Sequence, residues 1–355
     1  MGLNVVVLGL SITSSWGNGH ATTYRGLLRE LAASGHDVLF LERDVSWYRD
    51  HRDLRHPDYA RVALYGSTRE LRDRHAREVR DADLVIVGSY VQDGVAIGEW
   101  VTSTARGVTA FYDIDTPVTL AHLEQGRETY LSKALIPRYA IYLSFTGGHV
   151  LEHLERKLKA RAARPLYCSV DPALYDVAPR EPIWALGYMG TYSLDRQPTL
   201  QRLLIEPAHS LPDAAFAVAG PQYPEDIDWP DNVLRVAHLP PSEHRAFYNG
   251  QRFTLNVTRA QMRELGYSPS VRLFEAAACG VPIISDDWAG IDTFFERGRE
   301  ILIAETKQDV LRYLRELTDD ERREIGLRAR ARVLSAHTAE QRARELLAYF
   351  EEARA

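Results

Sequence analysis

Cysteine is almost absent: Cys168 and Cys279 are the only two in 355 residues. Two are too few for a disulfide scaffold or a cysteine-based zinc site. Long apolar runs are missing as well. Residues 5–10 (VVVLGL) form a short apolar stretch, far below the ~20 residues that span a bilayer. No basic residue precedes that stretch, so it does not read as a signal peptide. Val6 stands where a myristoylation motif needs Ser or Thr. An excess of positive charge is lacking too. The net charge is −6, which argues against a nucleic-acid partner, because a phosphate-backbone binder normally carries a basic face. Lysine is scarce, with four against 39 arginines. So global a bias fits a GC-rich genome and marks no single site. These absences together predict a cytoplasmic protein with no membrane span.

What is present is an ordinary globular composition, 45% hydrophobic and 26% charged. The length of 355 residues predicts two domains. Short β-branched runs alternate with helical periodicity through the first half. Strands are expected at residues 4–10, 37–41, 61–65, 83–88, 107–112, 140–145 and 166–170. Helices are expected at 22–34 and 93–105. Residues 176–182 are short and polar, with two prolines, and read as a linker. The alternation then restarts. Strands are expected at 183–190, 214–220, 232–236, 253–258 and 281–285. Helices are expected at 198–205, 242–249, 270–279, 306–317, 319–335 and 338–354. Such alternation predicts two α/β units with parallel sheets. Two such units would bind ligand in a cleft between the carboxyl ends of their strands.

Three segments carry chemistry. The first strand runs into Ser-Ser-Trp-Gly-Asn-Gly-His (14–20). Gly17 and Gly19 are placed too far past the strand for a dinucleotide fingerprint. Trp16, Gly17, Asn18 and Gly19 instead read as a loop lining the cleft, with His20 at the start of a helix. A helix N-terminus favours the neutral imidazole that a general base needs. Asp113 and Asp115 follow a buried strand, and either could orient that imidazole. The same pair can also be read as an Asp-x-Asp cation site, or Asp115 as a helix cap. Trp47, Tyr48 and Tyr90 lie in loops where an acceptor could stack.

The third segment is Ser-Pro-Ser-Val-Arg-Leu-Phe-Glu-Ala-Ala-Ala-Cys-Gly-Val-Pro (268–282). Ser268 reads as an N-cap, with Pro269 at the first helical position. The first turn, with Ser270, offers N–H groups and hydroxyls to a phosphate. Arg272 and Glu275 share a helix face. The guanidinium suits a phosphate and the carboxylate suits a ribose diol. A plain Arg–Glu ion pair is the bland alternative.

Residues 272–285 (RLFEAAACGVPIIS) resemble the donor-binding helix of GT-B glycosyltransferases. Residues 14–25, 112–119 and 143–148 are similar to the CgeB-like, spore-maturation-type branch. The resemblance implies a GT-B fold, two Rossmann-like parallel-sheet domains facing across a cleft. It assigns residues 1–175 to the acceptor side and 176–335 to a nucleotide-sugar donor domain. The helix at 336–355 would cross back to the first domain. Glu275 matches the family's ribose-binding glutamate. Gly190, Tyr192 and Arg196 match a phosphate-facing loop, Arg259 would add a second cation, and residues 220–222 could line the base pocket.

The activity implied is sugar transfer from a nucleoside-diphosphate sugar, with UDP- or dTDP-sugar favoured. No cofactor or metal would be needed, and Asp113 and Asp115 would bind none. Many retaining members carry a second glutamate eight positions before the ribose one, where this chain has Tyr267. An inverting route with His20 as base is therefore expected. A non-catalytic sugar-nucleotide binding protein and a nucleotide-sugar epimerase are the alternatives. The acceptor and the oligomeric state are not encoded in any motif.

Overall fold

Strands and helices alternate through both halves of the computed structural model, which describes residues 2–17 and 19–355. The chain divides into one unit of Met1–Ser169 with Ala339–Ala355 and a second of Val170–Thr338. The first unit holds β1 (Asn4–Gly9), β2 (Asp37–Arg43), β3 (Arg61–Tyr65), β4 (Leu84–Gly88), β5 (Val108–Asp113), β6 (Ile141–Ser144) and β7 (Ala163–Pro165). Its helices are α1 (Gly19–Ala33), α2 (Ser46–Arg49), α3 (Thr68–Asp81), α4 (Gly94–Thr104), α5 (Thr116–Glu124) and α6 (His149–Arg156). The second unit holds β8 (Trp184–Met189), β9 (Phe216–Ala219), β10 (Val233–Val236), β11 (Gln251–Asn256), β12 (Ile283–Ser285) and β13 (Leu302–Ile303). Its helices are α7 (Gln197–Leu200), α8 (Glu206–Ser210), α9 (Pro241–Asn249), α10 (Ala260–Leu265), α11 (Val271–Ala278), α12 (Lys307–Glu316) and α13 (Asp319–Ala336). The last helix, α14 (Ala339–Arg354), belongs to the first unit.

Both sheets are parallel. Their orders are β3-β2-β1-β4-β5-β6-β7 and β10-β9-β8-β11-β12-β13, the doubly wound Rossmann arrangement occurring twice. Each order reverses beside its first strand: β1 pairs with β2 and β4, and β8 with β9 and β11. Ligands in open α/β sheets gather past the carboxyl ends of strands at that reversal. The loops after β1 and β4, and after β8 and β11, are thereby singled out within each unit.

The strands are apolar on both faces because helices cover both. In the first unit Leu27, Leu28 and Leu31 of α1 and Leu346 and Phe350 of α14 join one buried cluster with Val5, Val7 and Phe40. Each such side chain contributes about 1.5–3 kcal/mol of burial. Tyr24 fixes the height of α1 over the sheet. A Cβ at Gly88 would meet its hydroxyl at 2.0 Å, so β4 must end on glycine. In the second unit capping boxes start α12 at Thr306 and α13 at Thr318.

Two expectations fail locally. The strand expected at 166–170 is displaced to β7, Ala163–Pro165, an edge strand where a proline ending is tolerated. Ser268 does not cap a helix. Helix α11 begins at Val271 with Ser270 as its N-cap residue, and no side chain caps it. Ser268 is held extended by the following proline, while the Tyr267 N–H bonds the Ala289 carbonyl at 2.6 Å.

Candidate functional site

The loop after β1 is fastened from below and from the side. Glu42, at the end of β2, is fully buried. Its carboxylate accepts the Ile12 N–H at 2.8 Å, the Thr13 N–H at 3.1 Å and the Thr13 hydroxyl at 2.5 Å. Arg25 of α1 clasps Asp53 through both terminal nitrogens, at 2.9 and 2.8 Å. Asp53 also accepts the N–H and hydroxyl of Ser15, each at 2.9 Å. Desolvation opposes these bonds, yet they hold its carboxyl down at about 2. Trp16 stacks on His51 with centroids 4.3 Å apart. Gly17 takes a left-handed φ of 57°, a conformation that suits glycine. Gly19 and His20 form the first turn of α1. Asn18 lies outside the described residues.

Burial holds the His20 imidazole down at about 4, so it is neutral at physiological pH. Its ring stands nearly perpendicular to that of Tyr90, at 77° with centroids 5.4 Å apart. Tyr90 follows β4 and donates its hydroxyl to Asp115 at 2.8 Å. Asp115 caps no backbone N–H of α5. Residues from the loops after β1, β4 and β5 thus converge at the reversal point of the first sheet.

Asp113 faces the other way. It is fully buried and accepts the Tyr142 hydroxyl at 2.5 Å and the Thr119 hydroxyl at 2.7 Å. Desolvation raises its carboxyl to about 7 despite those two bonds. Folded protein therefore keeps a proton on Asp113 at pH values where the unfolded chain, at about 3.9, has lost it. That stabilising proton is fully present below about 4 and is lost as pH rises through about 7. The melting-temperature gap between wild type and Asp113→Asn should narrow from pH 5 to pH 8, read by differential scanning calorimetry. A gap that widens over that range contradicts the assignment.

In the second unit Arg272, 8% exposed, stands at the start of α11. Its Nε donates to the Met189 carbonyl, and its Nη1 donates to Asn256 Oδ1 at 3.1 Å and to the Ser270 hydroxyl at 3.2 Å. The guanidinium lies over the Tyr188 ring, 5.0 Å from its centroid. Nη2 lies against Gly190, 2.9 Å from where a Cβ would stand. The Tyr188 hydroxyl is buried beside Gly190 and has no partner among the described residues. Asn256 is itself braced by the Ser285 hydroxyl, at 3.0 Å. Ends of β8, β11 and β12 therefore hold one arginine.

Arg196 follows on the same side. It donates to the Ser193 hydroxyl at 2.8 Å and the Thr191 carbonyl at 2.5 Å. Burial lowers its affinity for its proton, and the charges of Arg272 and Arg259 lower it further. Three cations are thus gathered around the loop after β8. Tyr192 meets Tyr223 edge-on at 5.5 Å, and its N–H bonds the Pro221 carbonyl at 3.0 Å. Gly220, with φ 145°, passes so close that a Cβ would meet the Gly190 carbonyl at 2.1 Å.

Glu275 is 5% exposed and accepts the Tyr248 hydroxyl at 3.0 Å. No ion pair joins it to Arg272 among the described residues. The bland alternative of a surface Arg–Glu pair is thereby removed. Each group is braced separately, the arginine toward the strand ends and the carboxylate one turn later.

Sequence reading missed Glu42 as the clamp of the first loop and Asn256 as the brace of Arg272. Both partners are remote along the chain. Glu42 was visible only as a carboxylate ending a strand, and Asn256 only as a polar residue inside one.

Residues 196–348 match a protein family described as glycosyl transferase-like. No curated protein matches the chain at significant similarity. Solved structures match over nearly the whole length. Sucrose-phosphate synthase from Thermosynechococcus elongatus is 15% identical, with a TM-score of 0.72 over 98% of each chain. Anabaena HepE in complex with UDP is 13% identical, with a TM-score of 0.71 over 99% of this chain and 100% of that one. A glycosyltransferase from Rickettsia africae is 12% identical, with a TM-score of 0.67 over 98% of each. At these identities the likeness establishes the fold, which is GT-B. The chain therefore has the GT-B fold throughout, and residues 196–348 are similar to the glycosyl transferase-like family.

Proposed function

We propose that the chain moves a sugar from a nucleoside-diphosphate donor, UDP- or dTDP-linked, to a hydroxyl acceptor, with inversion and without a metal. The carrying observation is the braced Arg272 with Arg196 and Arg259 nearby, and Glu275 one turn on. Cations around a helix start suit a diphosphate, and a buried carboxylate suits a ribose diol. HepE, of similar fold, has been solved with UDP and with UDP-glucose, which supports the donor class. The donor side is then residues 176–335, by way of Gly190, Tyr192, Arg196, Arg259, Ser268, Ser270, Arg272 and Glu275. The acceptor side is residues 1–175, with the 336–355 helix. The CgeB-like branch and a cytoplasmic location complete the reading.

The acceptor oxygen attacks the anomeric carbon and the bond from that carbon to the diphosphate oxygen breaks. His20, neutral as the fold holds it, takes the acceptor proton. Arg272 and its neighbouring cations offset the charge growing on the leaving diphosphate. Asp115 is the carboxylate of this pair, and Asp113 supports β5 from the interior.

Incubating the protein with UDP- and dTDP-sugars, candidate acceptors and EDTA tests this. Product with inverted anomeric configuration, formed at an EDTA-independent rate, is expected. Loss of turnover in EDTA restored by a divalent cation overturns the metal-free part. Tight donor binding without turnover across acceptors favours a binding protein, and conversion without acceptor favours an epimerase.

A further inference from the structure

Tyr90 has an unusual backbone and three well-defined contacts. It holds a left-handed φ of 63°, rare for a residue with an aromatic side chain. Strained backbone of this kind persists where the surroundings over-determine it, often at functional sites. Here the surroundings are visible. Its ring packs against Tyr130, with centroids 4.8 Å apart, and its edge contact is His20. Its hydroxyl donates to Asp115. Behind it, Tyr130 shares a 2.7 Å hydrogen bond with the Thr119 hydroxyl, which in turn donates to Asp113. A line of polar contacts therefore runs from the enclosed carboxylate of β5 out toward the carboxylate beside the loop.

We propose that Tyr90 is the positioning residue of the N-terminal site, setting the Asp115 carboxylate with its hydroxyl and the His20 ring by their perpendicular contact. The inference rests on the reading of His20 and Asp115 given above. In this role Tyr90 acts through Asp115 and His20. A hydrogen bond donated to a carboxylate stabilises its ionised form, so Tyr90 favours the carboxylate form of Asp115. Perpendicular ring pairs set a positive ring edge against a negative ring face, and the 77° angle between the two rings restricts imidazole rotation. The titratable groups that face Asp115 are Tyr90 after β4, Asp113 on β5 and Tyr130 after α5. His20 of α1 reaches it by way of the Tyr90 ring.

Tyr90→Phe tests this, because it removes one hydroxyl and keeps the ring. Its kcat should fall about tenfold with donor KM within twofold, a modest share of the 10²–10⁴ that positioned acid–base groups supply. The acid limb of the kcat–pH profile should move to higher pH, since Asp115 then protonates more readily. A second readout needs no acceptor. The carboxyl carbon of Asp115, followed by NMR through a pH titration, should show its midpoint raised by about one unit in Tyr90→Phe. An unchanged midpoint overturns the inference, as does an unchanged kcat and pH profile. If the wild type transfers no sugar, or His20→Ala leaves transfer intact, the functional reading fails instead, and the Asp115 midpoint still decides the role of Tyr90.

Discussion

Arg272→Ala should weaken nucleoside-diphosphate binding at least a hundredfold, measured by isothermal titration calorimetry. The size follows from what the side chain does. A charge-assisted hydrogen bond contributes about 1.5–3 kcal/mol, and a buried partner left unmatched costs about 1–3 kcal/mol more. Truncation would remove the cation from the diphosphate, while the stranded Met189 carbonyl and Asn256 Oδ1 would lower stability in free and bound protein alike. Two charge-assisted bonds lost to the diphosphate exceed the 2.7–2.8 kcal/mol that a hundredfold change represents at about 1.4 kcal/mol per decade. Arg272→Lys should recover only part of the affinity. A lysine carries the charge but lacks the planar fork that holds Met189, Asn256 and Ser270 while presenting a nitrogen to phosphate. Full affinity in either variant contradicts the assignment of Arg272 to the donor.

His20→Ala should leave donor affinity unchanged and lower kcat about a thousandfold, within the range for loss of a positioned general base. The separation is the point of the experiment, since His20 and Arg272 belong to different units. The pH dependence has a definite sign. Burial lowers the imidazole to about 4, so its basic form is already complete above pH 5 and adds no acid limb there. An acid limb near neutral pH belongs to a carboxylate. A wild-type limb near 6.5 that vanishes in His20→Ala would contradict the neutral imidazole.

How much of this was legible from the residues differs by region. Strands such as Leu84–Gly88 and Phe216–Ala219 announce themselves because a parallel strand covered on both faces is apolar throughout. Helix α3 is nearly silent. Its buried stripe is Leu71, His75 and Val79 in a segment otherwise charged, so only two apolar residues carry the period. Helix α11 is legible because a run of small residues must pack tightly, as its burial from Arg272 to Ala278 bears out. The roles of Asp113 and Asp115 are not separable from sequence. One ends a strand and the other stands just before the next helix without capping it, and only the fold shows that the first faces Tyr142 and the second Tyr90. Tyr90 itself reads as a loop aromatic, because nothing local encodes its partners 25 and 70 residues away along the chain.

The most direct test of the central claim is a thermal-shift panel of UDP, dTDP, GDP, CDP, ADP and NAD. A diphosphate with a dissociation constant of ~100 µM, present at about 1 mM, adds about 1.4 kcal/mol by linkage, a shift of roughly 3–5 °C. The account predicts a shift with UDP or dTDP that disappears in Arg272→Ala. A shift with NAD alone, or one with UDP that survives Arg272→Ala undiminished, would contradict it.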